Sequence, residues 1–173
     1  MKKFLLSAVI AGSLFADNFI NVQITNSTIM VEGQTLASHN KPFYIKAGFL
    51  VHSDKNNFYY AGIKSEGQII GVDIPATFSL FIDAVHTKNN TAIPMGVGFS
   101  SYLEQFKMPV FIRGEFEYAP KVLSFDDAER FSRYKGELGI RFIENGEIFV
   151  GYRHISFDKV YNSAIYGGIG LSF

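Results

Sequence analysis

Apolar and polar residues alternate along most of this chain with a period of two. From Phe43 to His52, Phe43, Ile45, Ala47, Phe49 and Val51 take one side, and Tyr44, Lys46, Gly48, Leu50 and His52 take the other. Val110 to Tyr118 repeats this, with Val110, Ile112, Gly114, Phe116 and Tyr118 against Phe111, Arg113, Glu115 and Glu117. Tyr134 to Phe142 does so again, and Ile165, Gly167, Ile169, Leu171 and Phe173 close the chain opposite Tyr166, Gly168, Gly170 and Ser172. Successive side chains of a strand point to opposite faces, so the pattern predicts strands with one apolar face. Helical spacing is absent after residue 16, and no apolar run there approaches the roughly 18 residues of a membrane helix.

The connections differ in kind. Ile74-Pro75-Ala76, Glu104 to Met108 and Glu144-Asn145-Gly146-Glu147 are compact, and the last holds an Asn-Gly hairpin signal. The interleaved ones, His52 to Asn57, His86 to Thr91, Ala119 to Ser132 and Phe157 to Ser163, are longer and more polar. Short turns at one end and long loops at the other are the pattern of an outer-membrane barrel. Counting back from the C-terminus places strands at about 164–173, 147–156, 133–143, 109–118, 93–103, 77–86, 58–70, 43–52 and 29–37. Single-chain bacterial barrels have an even number, so Phe19 to Thr25 is expected to add one more strand, turning near Asn26-Ser27. The expected fold is all-β: a closed, antiparallel, up-and-down transmembrane barrel of ten strands. Eight strands, with the first segment unpaired and two others merged, is the alternative.

Alternation alone does not say which face meets lipid, because a soluble barrel puts its apolar face inward. Three features favour lipid outside. Lys2 and Lys3 precede the short apolar run Phe4 to Gly12, so residues 1–16 are expected to be a cleaved secretory signal and 17–173 the barrel. Tyr59, Tyr60, Tyr102, Phe106, Tyr118, Tyr134 and Tyr152 gather near strand ends, as interfacial girdles require. Glycines crowd the polar face (Gly48, Gly62, Gly96, Gly98, Gly139, Gly151, Gly168 and Gly170), where they make room inside a narrow barrel. The location implied is the cell outer membrane. The 173 residues carry 16 Lys+Arg and 16 Asp+Glu, without the cationic excess of a nucleic-acid binder, and no Cys for disulfides or thiolate metal sites. Outer-membrane lipid, lipopolysaccharide and the barrel-assembly machinery are the expected partners; Ile169, Leu171 and Phe173 resemble a terminal assembly signal. No cofactor is expected.

Gly114-Glu115-x-x-Tyr118-x-Pro120, Gly151-Tyr152-Arg153-x-Ile155 and the ending Gly168-x-Gly170-x-Ser172-Phe173 resemble the C-terminal half of the YfaZ-like outer-membrane proteins. The resemblance runs from Met108 to Phe173, and the early strands lack that family's glycine richness. It implies a small outer-membrane barrel and brings no catalytic residues with it.

The polar face carries both signs of charge. Lys46, Lys64, Arg113, Lys135, Arg141 and Arg153 share it with Glu66, Asp83, Glu115, Glu117, Glu137 and Glu147. Buried charges must pair. Arg113, Glu115, Glu117, Lys135, Glu137, Arg141 and Arg153 are therefore expected to form a salt-bridged plug, with Arg113 neutralising Glu115, or else the lining of a narrow hydrated pore. His154 and Ser156 lie two apart on the apolar face, and a His-x-Ser there resembles the lipid A deacylase barrels. Phe157 stands where that motif has Asn, and Asp158 is the only nearby acid, so a girdle histidine beside a loop serine is preferred. His39, His52 and His86 share no metal-ligand spacing, and Asp126, Asp127 and Glu129 lack the pattern of a calcium loop, so no metal site is expected. The expected function is that of a non-enzymatic outer-membrane barrel, structural or a narrow solute channel. A lipid A hydrolase using His154 and Ser156, and an adhesin acting through its loops, are the alternatives.

Overall fold

A computed structural model describes residues 18–38, 42–68, 75–103 and 109–173. The long strands are β1 (Asn18–Ile24), β2 (Thr28–Ser38), β3 (Phe43–His52), β4 (Phe58–Gln68), β5 (Ala76–His86), β7 (Met95–Leu103), β8 (Val110–Ala119), β10 (Phe131–Ile143), β11 (Gly146–Phe157) and β12 (Lys159–Ser172). Each pairs antiparallel with the next, and β1 pairs with β12, so the ten close into one ring. Over its laddered length, closure leaves no open edge for lipid to strip of hydrogen bonds. The ends meet at the seam in the register Phe19↔Ser172 through Ile24↔Gly167, and Asn18 and Phe173 exchange backbone hydrogen bonds of 2.8 and 3.0 Å.

Two short strands, β6 (Asn90–Ala92) and β9 (Ser124–Asp126), lie in the long loops and pair with each other, with β6 also hydrogen-bonded to the end of β5. A single 3-10 turn over Lys121–Leu123 precedes β9. The loop expected over Phe157 to Ser163 is instead a hairpin: β11 runs to Phe157 and β12 begins at Lys159, with Asp158 alone at the turn in the left-handed region (φ 56°). The turn at Asn26-Ser27 is present, held by Thr25, whose Oγ1 accepts from the N–H groups of Ser27 and Thr28 at 3.1 and 2.9 Å. Residues 1–16, His39, Phe106 and the segments 69–74 and 104–108 lie outside the described residues.

The alternation resolves as an inside-out protein. Ile45, Ile63, Leu80, Ile82, Val97, Ile112, Leu138, Val150 and Ile169 point outward and are exposed, a belt that only a bilayer can cover. Tyr59, Tyr118, Tyr134 and Tyr152 stand exposed on this face. Tyr60 and Tyr102, expected in the same girdle, turn inward: Tyr60 is buried and donates to Glu32, and Tyr102 lines the lumen and accepts from Arg113. Their places in the alternation put them on the inner face, and phase outweighs residue type.

Candidate functional site: the barrel lumen

A ten-stranded barrel is narrow, so what its inner face does depends on which side chains fill it. Inner glycines lie beneath large neighbours. A Cβ at Gly48 would strike the Tyr60 ring, one at Gly139 the Phe111 ring, and one at Gly62 the Asp83 carboxylate. The missing side chains let these groups lie flat against the wall and reach across.

At the long-loop end the lumen is dry. Met30, Leu50, Phe58, Val85, Phe131, Ile155 and Phe157 form one buried cluster, joined from the loops by Ala92, Leu123 and Ala128. The Phe58 and Phe131 rings stack with centroids 6.3 Å apart, and Phe131 and Phe157 are 4.8 Å apart. Tyr161 of β12 packs on the cluster and donates its hydroxyl to the backbone oxygen of Asn56, while Lys55 donates to the backbone oxygen of Tyr161 at 2.7 Å. Loops and hairpin together seal this mouth.

Beneath the seal lies an ionic layer that crosses the barrel. Lys46 on β3 reaches Asp83 on β5 at 2.9 Å and Glu117 on β8 at 3.5 Å. Arg133 on β10 reaches Asp83 at 2.9 Å and also Glu117. All four side chains are buried. Asp83 Oδ1, Glu117 Oε2 and Arg133 Nη1 have no hydrogen-bond partner among the described residues. Next to this layer Glu32 collects Tyr60 (2.6 Å), Gln23 (2.5 Å) and Lys135 (2.9 Å), and Lys135 also pairs with Glu115 at 3.3 Å.

The remaining lumen is an open cup of about 560 Å³. Its rim carries Asn18, Asn145 and Phe173, so it faces the short-turn end. One wall is a set of ion pairs: Arg113 makes a two-pronged contact with Glu147, both arms at 2.6 Å, and lies 3.5 Å from Glu137. The other is largely neutral, with Gln34, Thr77, Ser79 and Ser100, and one pair, Lys64 with Glu66 at 2.6 Å. Among the described residues, every carboxylate of the cup has a cation beside it.

The same fold occurs among solved structures. A KdgM porin superimposes with a TM-score of 0.53 at 12% identity, covering 91% of this chain and 99% of that one. A KdgM porin in complex with disordered oligogalacturonate superimposes at 0.52 and 13%, with the same coverage. The chain is a small outer-membrane β-barrel. No family model matches it, and no curated protein does. At this identity the likeness is one of fold.

The barrel places the expected charges on its inner face but pairs them differently. Arg113 neutralises Glu137 and Glu147 rather than Glu115, because Glu115 faces Lys135 directly across the β8–β10 ladder. Arg141 stacks over Tyr102, with its guanidinium 4.4 Å from the ring, and has no carboxylate within ion-pair distance among the described residues. Arg153 is fully buried among neutral acceptors. Arg133 and Glu32 join the network at its centre without a clear signal in the sequence: Arg133 stands one residue before the alternation that begins at Tyr134, and Glu32 lies in β2 between the apolar Met30 and the neutral Gln34.

His154 and Ser156 face outward. The imidazole stacks on Tyr134 at 4.7 Å, and the Asp158 carboxylate accepts from the Glu129 N–H at 2.8 Å rather than from His154. Ile169, Leu171 and Phe173 lie exposed along the last strand at the seam.

Proposed function

We propose that this protein is a narrow solute channel whose resting state is shut. The observation that carries the proposal is the division of the lumen: an open, polar cup reaches in from the short-turn side and ends at a thin ionic layer under an aromatic seal. A barrel built only as a structural element gains nothing from a hydrated cup lined with charge. Three polar atoms of the ionic layer have no partner among the described residues, and an unsatisfied buried polar group costs about 1–3 kcal/mol. Pairing of cations with carboxylates throughout the cup suits small neutral or zwitterionic solutes. A polyanion such as the oligogalacturonate named for the similar porin would meet a carboxylate beside each cation of this cup.

A purely structural barrel is the second reading, favoured by the dry seal itself. Single-channel recording separates the two. The refolded protein is expected to be silent, and Phe58→Ala with Phe131→Ala is expected to give current steps. Silence from both, with folding confirmed by gel mobility, would favour the structural reading. The motifs from Gly114 to Phe173 support kinship with the YfaZ-like barrels, and the outward Ile169, Leu171 and Phe173 support recognition by the assembly machinery in a membrane of lipopolysaccharide and lipid.

A further inference from the structure

The wall of the barrel is not equally fastened all round. The ladder between β1 and β12 ends at Ile24↔Gly167. Above that point β1 turns into β2, while β12 continues upward from Tyr166 to Lys159 with β11 as its ladder partner among the described residues, and it meets the β3–β4 loop through the hydrogen bonds of Tyr161 with Asn56 and Lys55. Among the described residues this long-loop stretch of β12 therefore has no backbone ladder to β1, and side chains bridge the gap.

Arg153 is the side chain placed to do so. It projects from β11 into the lumen with no exposed surface. Its Nη1 donates to Gln23 Oε1 on β1 at 2.5 Å and contacts the Met30 sulfur at 2.9 Å, and its Nη2 donates to Thr28 Oγ1 at the start of β2 at 3.2 Å. Its Nε donates to Asn162 Oδ1 on β12 at 3.2 Å, and the guanidinium sits over the Tyr166 ring at 5.1 Å. One residue thus passes behind β12 and holds both β1 and β2. No carboxylate lies within ion-pair distance of it among the described residues, in contrast to Arg113 and Arg133. A buried cation without a direct ion pair is costly; Glu32 stands one hydrogen bond away through Gln23, and the planar fork's donors reach several strands at once.

We propose that Arg153 is the latch of the barrel seam, fixing the first hairpin to the last from inside where the backbone ladder stops. This role holds whether or not the lumen conducts. It makes Arg153 a positioning residue, acting through Gln23, Thr28 and Asn162.

The test is amide hydrogen exchange on the refolded full-length barrel in detergent micelles, comparing wild type with Arg153→Gln and Arg153→Lys. A latch predicts exchange faster by about tenfold in Phe19–Ile24 and Ile165–Leu171, with β4 and β5 unchanged. It also predicts that Lys fails to rescue, since one ammonium cannot span Gln23, Thr28 and Asn162 together. Arg133→Gln is the control, and its effect should fall on β5, β8 and β10. Should Arg153→Gln not fold, Thr28→Val and Asn162→Ala each remove one acceptor and should loosen the same seam to a lesser degree. Exchange that rises evenly round the ring, that does not rise at all, or that returns to wild type in Arg153→Lys would overturn the proposal.

Discussion

The two ends of the lumen are built by the same strands and the same alternation, yet one is a dry core and the other a wet cup. The inner positions of β2 to β5 near the long loops are Met30, Leu50, Phe58 and Val85; a few residues along the same strands they are Gln34, Tyr44, Lys64 and Ser79. A period of two fixes which side chains look inward and leaves open what they do there. Apolar rings exclude water and pack, as in the interior of a soluble protein. Charged chains at the same diameter either pair across the gap or keep a hydrated space.

That contrast breaks most readily at the layer between the two ends. Arg133→Met leaves Asp83 and Glu117 with Lys46 alone, and should lower stability by about 3–5 kcal/mol, read as the denaturant midpoint of the barrel in lipid vesicles. Phe131→Ala removes the ring at the centre of the seal. The loss should be near the low end of about 3–5 kcal/mol, because Phe58 and Phe157 can lean into the gap. If the seal is also the barrier to flow, the same variant raises conductance.

The outer face gives a different response. Leu138→Arg puts a cation into the apolar belt and should cost about 2–4 kcal/mol in vesicles. Lys64→Gln, in a partly wetted pair of the cup, should cost only about 0.2–1 kcal/mol, and a larger loss would mean the cup wall is as tightly built as the plug. Substituting His154 and Ser156 with Ala is expected to leave the mass of lipid A in the host membrane unchanged, since Asp158 is engaged elsewhere; any change in acylation would revive an esterase role.

The ring of ten strands was legible in the sequence because alternation survives in every long strand and because loop lengths fix the side on which each strand ends. The seam followed from the even count. The dry seal was not legible. Its members Phe58, Leu50 and Met30 lie in the phase otherwise occupied by charge, and the loops that cover them read as polar connections although they contribute Ala92, Leu123 and Ala128. The short β6–β9 pairing escaped for a related reason: three residues are too few to show a period. Charge partners failed where geometry rather than type decides. Glu115 lies two residues from Arg113 on one strand, but the nearer cation is across the ladder at Lys135. Arg153 carries no mark of its partners, because Gln23, Thr28 and Asn162 are neutral and distant in the chain.

The glycines beneath the inner rings carry a consequence for heredity. Gly48 and Tyr60 face each other across the β3–β4 ladder, as Phe149 and Gly168 do across β11–β12, and in each case the ring occupies the space a Cβ would need. Neither member of such a couple can drift alone: enlarging the glycine evicts the ring, and trimming the ring leaves a void against a weakened strand. Descendants of this gene should therefore change positions 48 and 60, or 149 and 168, together, so that the history of the lumen is written in couples while the lipid-facing residues are free to vary one at a time.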